Sequence, residues 1–391
     1  MDGQEPSKKV KTDLNALEQL KKYTNIVSDS GDIDKIKQFT PEDATTNPSL
    51  ILQAAGLPQY KALFDEAITY GKQNFYKKLK EQPKLQKKSS TRSAKKSAQK
   101  DEEETQKEPE FNYTELSEED QNALKSFIVD KLCVIFGKKI LEIVPGYVST
   151  EVDARLSYDK QGTIQRAKRV IQLYEEEGIS KDRILIKIAS TWEGIEAAKS
   201  LKTQKIKCNM TLIFGYEQAI ACGEAGLFLI SPFVGRILDW HKKTFPDKAS
   251  EFQGHMDPGV ISVSQIYNYY KKHDISTVVM GASFRNTGEI LALSGCDKLT
   301  ISPALLGDLQ QMSGNDVSQN LKAESAKEQD IPKINVDEKT FRWAQNQDDC
   351  MSELLPQGIK KFAADIVKLE NLIHEALLAN PKNEAEKIQT E

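Results

Sequence analysis

The chain has 391 residues, 39% of them hydrophobic and 29% charged, and a formal net charge of −4. That is apolar material for a large core, in one big domain or two ordinary ones. The near balance of charge argues against nucleic acid as a partner held by the overall field, and no apolar run reaches the ~18 residues of a membrane-spanning helix.

Taken in chain order, the first segment (1–13) is polar and charged and is expected to be disordered. It carries no apolar stretch of the kind a secretory leader needs. Short β-branched runs at 24–29 and 43–46 read as strands. Residues 77–100 then hold nine lysines and Arg92 against Glu81 alone, and 101–120 hold ten acids against Lys107. Within 77–110 the only large aliphatics are Leu79 and Leu85. Such a stretch cannot offset the entropy of ordering, so 77–110 is expected to be a disordered insertion inside a folded domain.

Further strands are expected at 147–152, 184–188, 205–210, 227–231, 276–282 and 298–302, several of them near-continuous apolar runs. Helical patterns separate them. Ile164, Ala167, Val170, Ile171 and Tyr174 keep helical spacing up to Gly178, which suits a residue just past a helix end. Ser190 with Glu193, and Ser262 with Gln265, have capping-box spacing. Near the C-terminus, Ile359, Phe362, Ala363, Ile366, Leu369 and Leu372 form one stripe, and 380–391 reads as a flexible tail.

Eight strands alternating with helices predict an α/β fold, a single (β/α)8 TIM-type barrel spanning 14–379 apart from the insertion. A doubly wound sheet would normally show a glycine-rich phosphate loop, and neither GxGxxG nor GxxxxGK[ST] occurs. The five cysteines and four histidines are scattered without ligand spacing. This argues against a disulfide framework and a zinc site, and for a reducing, cytoplasmic setting.

In a barrel, chemistry gathers where strands end. The polar residues there are Asp29, Thr45, Asn47, Glu151, Asp153, Lys187, Asn209, Thr211, Ser231, Ser283 and Arg285. Lys187 lies in the apolar run ILIKIAS. Burial disfavours an ammonium, and a neutral amine attacks carbonyls to form imines. A strand-end lysine paired with an acid fits the same spacing. Asp29 and Glu151 are acid/base candidates, although VSDSGD also reads as a turn and Glu151 stands near Arg155. Arg236 and Arg285 follow consecutive strands, and arginine forks suit phosphate.

These residues sit in motifs that resemble the transaldolase family: DATTNPSLI, VSTEVDARLSYD, ILIKIASTWEGI, CNMTLIF, LISPFVGRILDW and MGASFRNTGEIL, in that order. FRWAQNQDDCMSELL and GIKKFAADIVKLE resemble the family's closing region. The resemblance implies a Schiff-base transferase of the non-oxidative pentose phosphate pathway. It would move a dihydroxyacetone unit from sedoheptulose 7-phosphate to glyceraldehyde 3-phosphate, giving erythrose 4-phosphate and fructose 6-phosphate.

Position by position, the resemblance makes Lys187 the imine-forming lysine and Asp29 the acid/base at the donor's C4 hydroxyl. Glu151 would act through a water that Thr211 orients. Asn47, Asn209 and Ser231 would hold the dihydroxyacetone unit, Phe233 would form part of the wall, and Arg236 and Arg285 would hold phosphate. It implies no metal or other cofactor, small sugar phosphates as partners, no membrane association, and a homodimer as one assembly to expect. The sequence departs from the usual pattern at Ser30, Tyr147, Met210 and Gly215, and in the charged insertion.

Overall fold

The computed structural model describes residues 13–81 and 112–379. The disorder expected for the N-terminal segment, for most of the insertion and for the C-terminal tail therefore falls on residues outside the described ones. Residues 77–81, read above as the start of the insertion, instead complete the helix Lys61–Glu81. Lysine, leucine and glutamate are good helix formers, and a helix already nucleated extends easily through them.

Eight parallel strands close into a barrel in chain order. They are β1 (Asn25–Asp29), β2 (Asp43–Thr45), β3 (Val148–Glu151), β4 (Ile184–Ala189), β5 (Lys207–Ile213), β6 (Leu229–Pro232), β7 (Val278–Gly281) and β8 (Lys298–Ile301). Closure is made by β1 against β8, with Ile26 opposite Leu299. The eight expected strands are all present. β5 runs three residues further than the sequence suggested, because a bulge between Met210 and Ile213 puts Leu212 at φ 56°. A bulge of this kind re-aims side chains at a barrel rim.

The helix Lys160–Glu176 ends as its pattern predicted. Gly178 has φ 76°, and the Ile179 amide reaches back to the Tyr174 carbonyl. The two expected capping boxes are corrected. The helix Trp192–Lys202 is capped by Thr191, whose hydroxyl accepts from the Gly194 amide, while Ser190 bonds to Thr211 on β5. The helix Pro258–Lys272 is capped by Asp257 with Pro258 at its first position, so Ser262 lies inside it. At the C-terminus, the helix Asp349–Leu378 buries Ile359, Phe362, Ile366, Leu369 and Ile373, whereas Leu372 is exposed. Over so long a helix the 3.6-residue repeat moves the stripe by one position.

Val27, Leu185, Leu229 and Met280 meet inside the barrel as one buried cluster. Strand side chains alternate with period two. Asp29, Lys187, Ser231 and Ala282, two residues further along the same strands, therefore form the next layer towards the C-terminal mouth.

Candidate active site

The apolar layer closes the barrel from below, and the polar layer above it lines a small cavity. Asp29, Asn47, Lys187, Ser231, Phe233 and Arg236 all line it. Thr45, Thr300, Ser283 and Phe362, to which no role was assigned from sequence, line it as well.

Lys187 is only 4% exposed. Strand register sets Glu151 of β3 directly opposite it, and Lys187 Nζ lies 3.2 Å from Glu151 Oε2 and 3.2 Å from the Thr46 carbonyl. On β5, Asn209 stands opposite Lys187. Its Nδ2 donates to Ser149 Oγ at 3.1 Å, and its Oδ1 accepts from Ser231 Oγ at 2.5 Å. These hydroxyl and amide contacts fix the floor beside the lysine.

Thr211 lies two residues beyond Asn209 and is fully buried. Its Oγ1 has no hydrogen-bond partner among the described residues. A buried hydroxyl left unpaired is costly unless water or ligand meets it.

Asp29 accepts from Thr45 Oγ1 at 2.9 Å, and Thr45 in turn contacts Thr300 Oγ1 at 2.7 Å. Burial pushes the Asp29 carboxyl above the usual carboxylate range, against the opposing pull of Lys187 and Thr45. Glu151 is likewise raised by burial, again opposed by Lys187. The amine thus has two neighbouring carboxyls that both hold protons more tightly than they would in water. Asn47 caps the helix Pro48–Ala55 through its Oδ1, which accepts from the Leu50 amide. Its Nδ2 is the end of that amide available to a ligand.

The two arginines differ. Among the described residues no carboxylate pairs with Arg236. It stacks on Phe233 and Phe362 at 4.8 and 5.5 Å. Burial lowers its pKa, and the nearby charge of Arg285 adds to the effect. Arg285 lies outside the cavity on the rim. Its side chain is 39% exposed and pairs with Asp239 at 2.8 Å. Phe362 also places its ring 5.8 Å from Lys187 Nζ, so the C-terminal helix covers the site. A close approach at Gly358 allows this cover, because a Cβ there would stand 2.7 Å from Leu212 and 3.2 Å from Arg236 Nη1.

A family model described as transaldolase/fructose-6-phosphate aldolase matches residues 26–373. The chain belongs to that family. It is 51% identical over 364 residues to a human transaldolase, covering 93% of this chain and 94% of that one. It is 50% identical to a rat transaldolase over 93% of this chain and 95% of that one. It is 49% identical to a transaldolase of Alteromonas mediterranea over 93% and 99% respectively. The matched span takes in every strand-end candidate of the transaldolase-family site, from Asp29 to Arg285.

Proposed function

We infer that this chain is a transaldolase, a transferase of aldehyde and ketone groups that works through a lysine imine. It moves a dihydroxyacetone unit from sedoheptulose 7-phosphate to glyceraldehyde 3-phosphate. The observation that carries the residue assignment is the buried Lys187 amine, with Glu151 3.2 Å away across the ladder and Asp29 lining the same cavity.

In this reading Lys187 Nζ adds to the donor's C2 carbonyl. Glu151, through a water held by Thr211, hands protons back and forth while water leaves and the protonated imine forms. Asp29 takes the proton from the C4 hydroxyl. The C3–C4 bond breaks, its electron pair flows to the imine nitrogen, and the aldehyde product departs. The enamine left on Lys187 adds through C3 to the acceptor aldehyde, and Asp29 returns its proton to the new hydroxyl. Hydrolysis then frees the lysine and fructose 6-phosphate.

The raised proton affinity of Asp29 and Glu151 suits groups that must both take and give protons near neutral pH. Asn47, Asn209 and Ser231 orient the three-carbon unit, and Phe233 and Phe362 wall it from water. Arg236 and Arg285 take the phosphate. The five cysteines, all free, suit a reducing cytoplasm.

The test is product analysis with fructose 6-phosphate, with and without an acceptor aldehyde. Transfer that depends on acceptor is expected. Steady release of free dihydroxyacetone to water would instead mark an aldolase.

A further inference from the structure

Asp257 and Glu289 are 1% and 0% exposed and belong to no part of the chemistry above. They come from different elements, Asp257 from the start of the helix Pro258–Lys272 and Glu289 from the short helix Thr287–Ala292. Each has one committed oxygen. Asp257 Oδ1 accepts from the Gly259 and Val260 amides at 2.7 and 3.4 Å. Glu289 Oε2 accepts from the Arg285 backbone amide at 2.6 Å. The other oxygens, Asp257 Oδ2 and Glu289 Oε1, are buried and receive no donor from the described residues. The two carboxyls lie within hydrogen-bonding reach of one another. Two ionised carboxylates so placed repel, while one proton between them satisfies both orphan oxygens at once.

Both ends of the pair lead to an arginine. Glu289 holds the backbone of Arg285 itself. Asp257 starts the turn at Gly259, where a Cβ would stand 2.2 Å from the Val234 carbonyl, so this helix is pressed against the segment that carries Arg236. That segment is in turn tied to the Arg285 loop. The Val234 and Gly235 amides donate to the Ala282 and Ser283 carbonyls at 2.9 and 3.1 Å.

We propose that Asp257 and Glu289 form a carboxyl pair joined by one shared proton, and that this pair is a positioning device that holds Arg285, and with it Arg236, in place for the substrate's phosphate. This deepens the reading of the two arginines as phosphate ligands and rests on it. Burial, followed for Glu289 by the charge of Asp257, pushes the Glu289 carboxyl up to about 7, and burial raises Asp257 as well. The other charged group acting on the pair among the described residues is Lys242 on the helix Val234–Thr244, whereas Arg285 gives Glu289 its backbone amide and turns its guanidinium to Asp239. His255, two residues before Asp257, is exposed. A folded value raised above the unfolded one means that the pair's stability is present at low pH and is lost as pH rises through the folded value. The arginines should therefore be held best below neutrality and released above it. Ionised Glu289 accepts the Arg285 amide more strongly, so the release comes from repulsion between the two carboxylates, which drives the Glu289 loop and the Asp257 turn, with the arginines they carry, apart above neutrality.

The test uses the full chain and measures KM for glyceraldehyde 3-phosphate and for unphosphorylated glyceraldehyde from about pH 6 to about pH 9. In the wild type, KM for the phosphorylated acceptor should rise roughly tenfold over the alkaline part of that range, the effect of one weakened charge-assisted contact. KM for glyceraldehyde should stay flat. Glu289→Gln and Asp257→Asn each replace the shared proton with a fixed amide donor, and each should abolish the alkaline rise. Glu289→Ala should raise KM for the phosphorylated acceptor at every pH. Either amide variant, if it folds, decides the matter. The proposal is overturned if the amide variants keep the wild-type profile, or if they raise both KM values equally. A selective loss in Arg285→Ala beside unchanged profiles in the amide variants would sink the pair alone. A loss in Arg285→Ala that ignores phosphate would remove the phosphate reading beneath it.

Discussion

Glu151 Oε2 lies 3.2 Å from Lys187 Nζ, and the two residues face each other across the β3–β4 ladder. Neighbouring strands hold their backbones, so neither side chain has to search for the other. Burial that excludes water from both strengthens their interaction.

The pH dependence of the reaction follows from that arrangement. Glu151 and Asp29 are both raised by burial, and both are needed in ionised form to accept a proton. Activity should therefore fall on the acid side at a pH above the ~4 of ordinary carboxylates. A profile of kcat/KM against pH checks this. An acid limb at the ordinary carboxylate value would contradict the assignment of both groups.

Asp29→Asn separates function from stability. A carboxyl whose folded value is raised favours the folded state below its unfolded value and loses that contribution as pH rises through the folded one. The neutral amide escapes this loss. The variant should lose roughly 10²–10⁴-fold in kcat yet melt higher than wild type at neutral pH. The difference should shrink as pH is lowered towards 4. Thermal melts at several pH values give the answer, and a variant that melts lower at pH 7 would show that Asp29 stabilises the fold.

The eight strands and their order were legible because buried strands write themselves as short apolar runs between turn residues. The strand-end rule then found Lys187, Glu151, Asp29, Asn209 and Ser231 as a group. Three things were not legible. The bulge at Leu212 depends on a backbone angle that leucine rarely takes, so nothing in CNMTLIF announces it. The helix starts at Thr191 and Asp257 were misplaced because a hydroxyl three residues before Glu or Gln also occurs beside and inside helices. Asp257-Pro258 was the stronger signal. Phe362 above Lys187, Asp239 beside Arg285 and Glu289 beside Asp257 are contacts between remote segments, and periodicity does not say what a helix covers.

Phosphate recognition is expected to depend on both arginines and on Asp239. Arg285→Ala should cost about 1.5–3 kcal/mol, or roughly ten- to a hundredfold, in KM for phosphorylated substrates, with little change for unphosphorylated ones. Asp239 competes for the same guanidinium. Asp239→Asn should therefore lower KM for phosphorylated substrates. Initial rates with paired phosphorylated and unphosphorylated acceptors test both variants, and an Asp239→Asn enzyme with a raised KM would show that the pair serves to hold Arg285 in place.

The ring of Phe362 is 2% exposed and spans Lys187 and Arg236. Phe362→Ala should destabilise the protein by about 3–5 kcal/mol, as large-to-small core changes do, and should also admit water to the imine. Denaturant unfolding measures the first effect. Partition of the retained three-carbon unit between acceptor and water measures the second, and unchanged partition would mean that the C-terminal helix only supports the fold.

The proposed mechanism stands on an imine at Lys187. Borohydride reduction in the presence of fructose 6-phosphate, followed by peptide mapping, tests it most directly. A single three-carbon unit added to Lys187 is expected, with inactivation in proportion to labelling. Lys187→Arg, which keeps the charge but cannot form the imine, should take no label and show no activity while melting cooperatively. Label on any other lysine, or activity remaining in Lys187→Arg, would rule Lys187 out as the imine-forming residue.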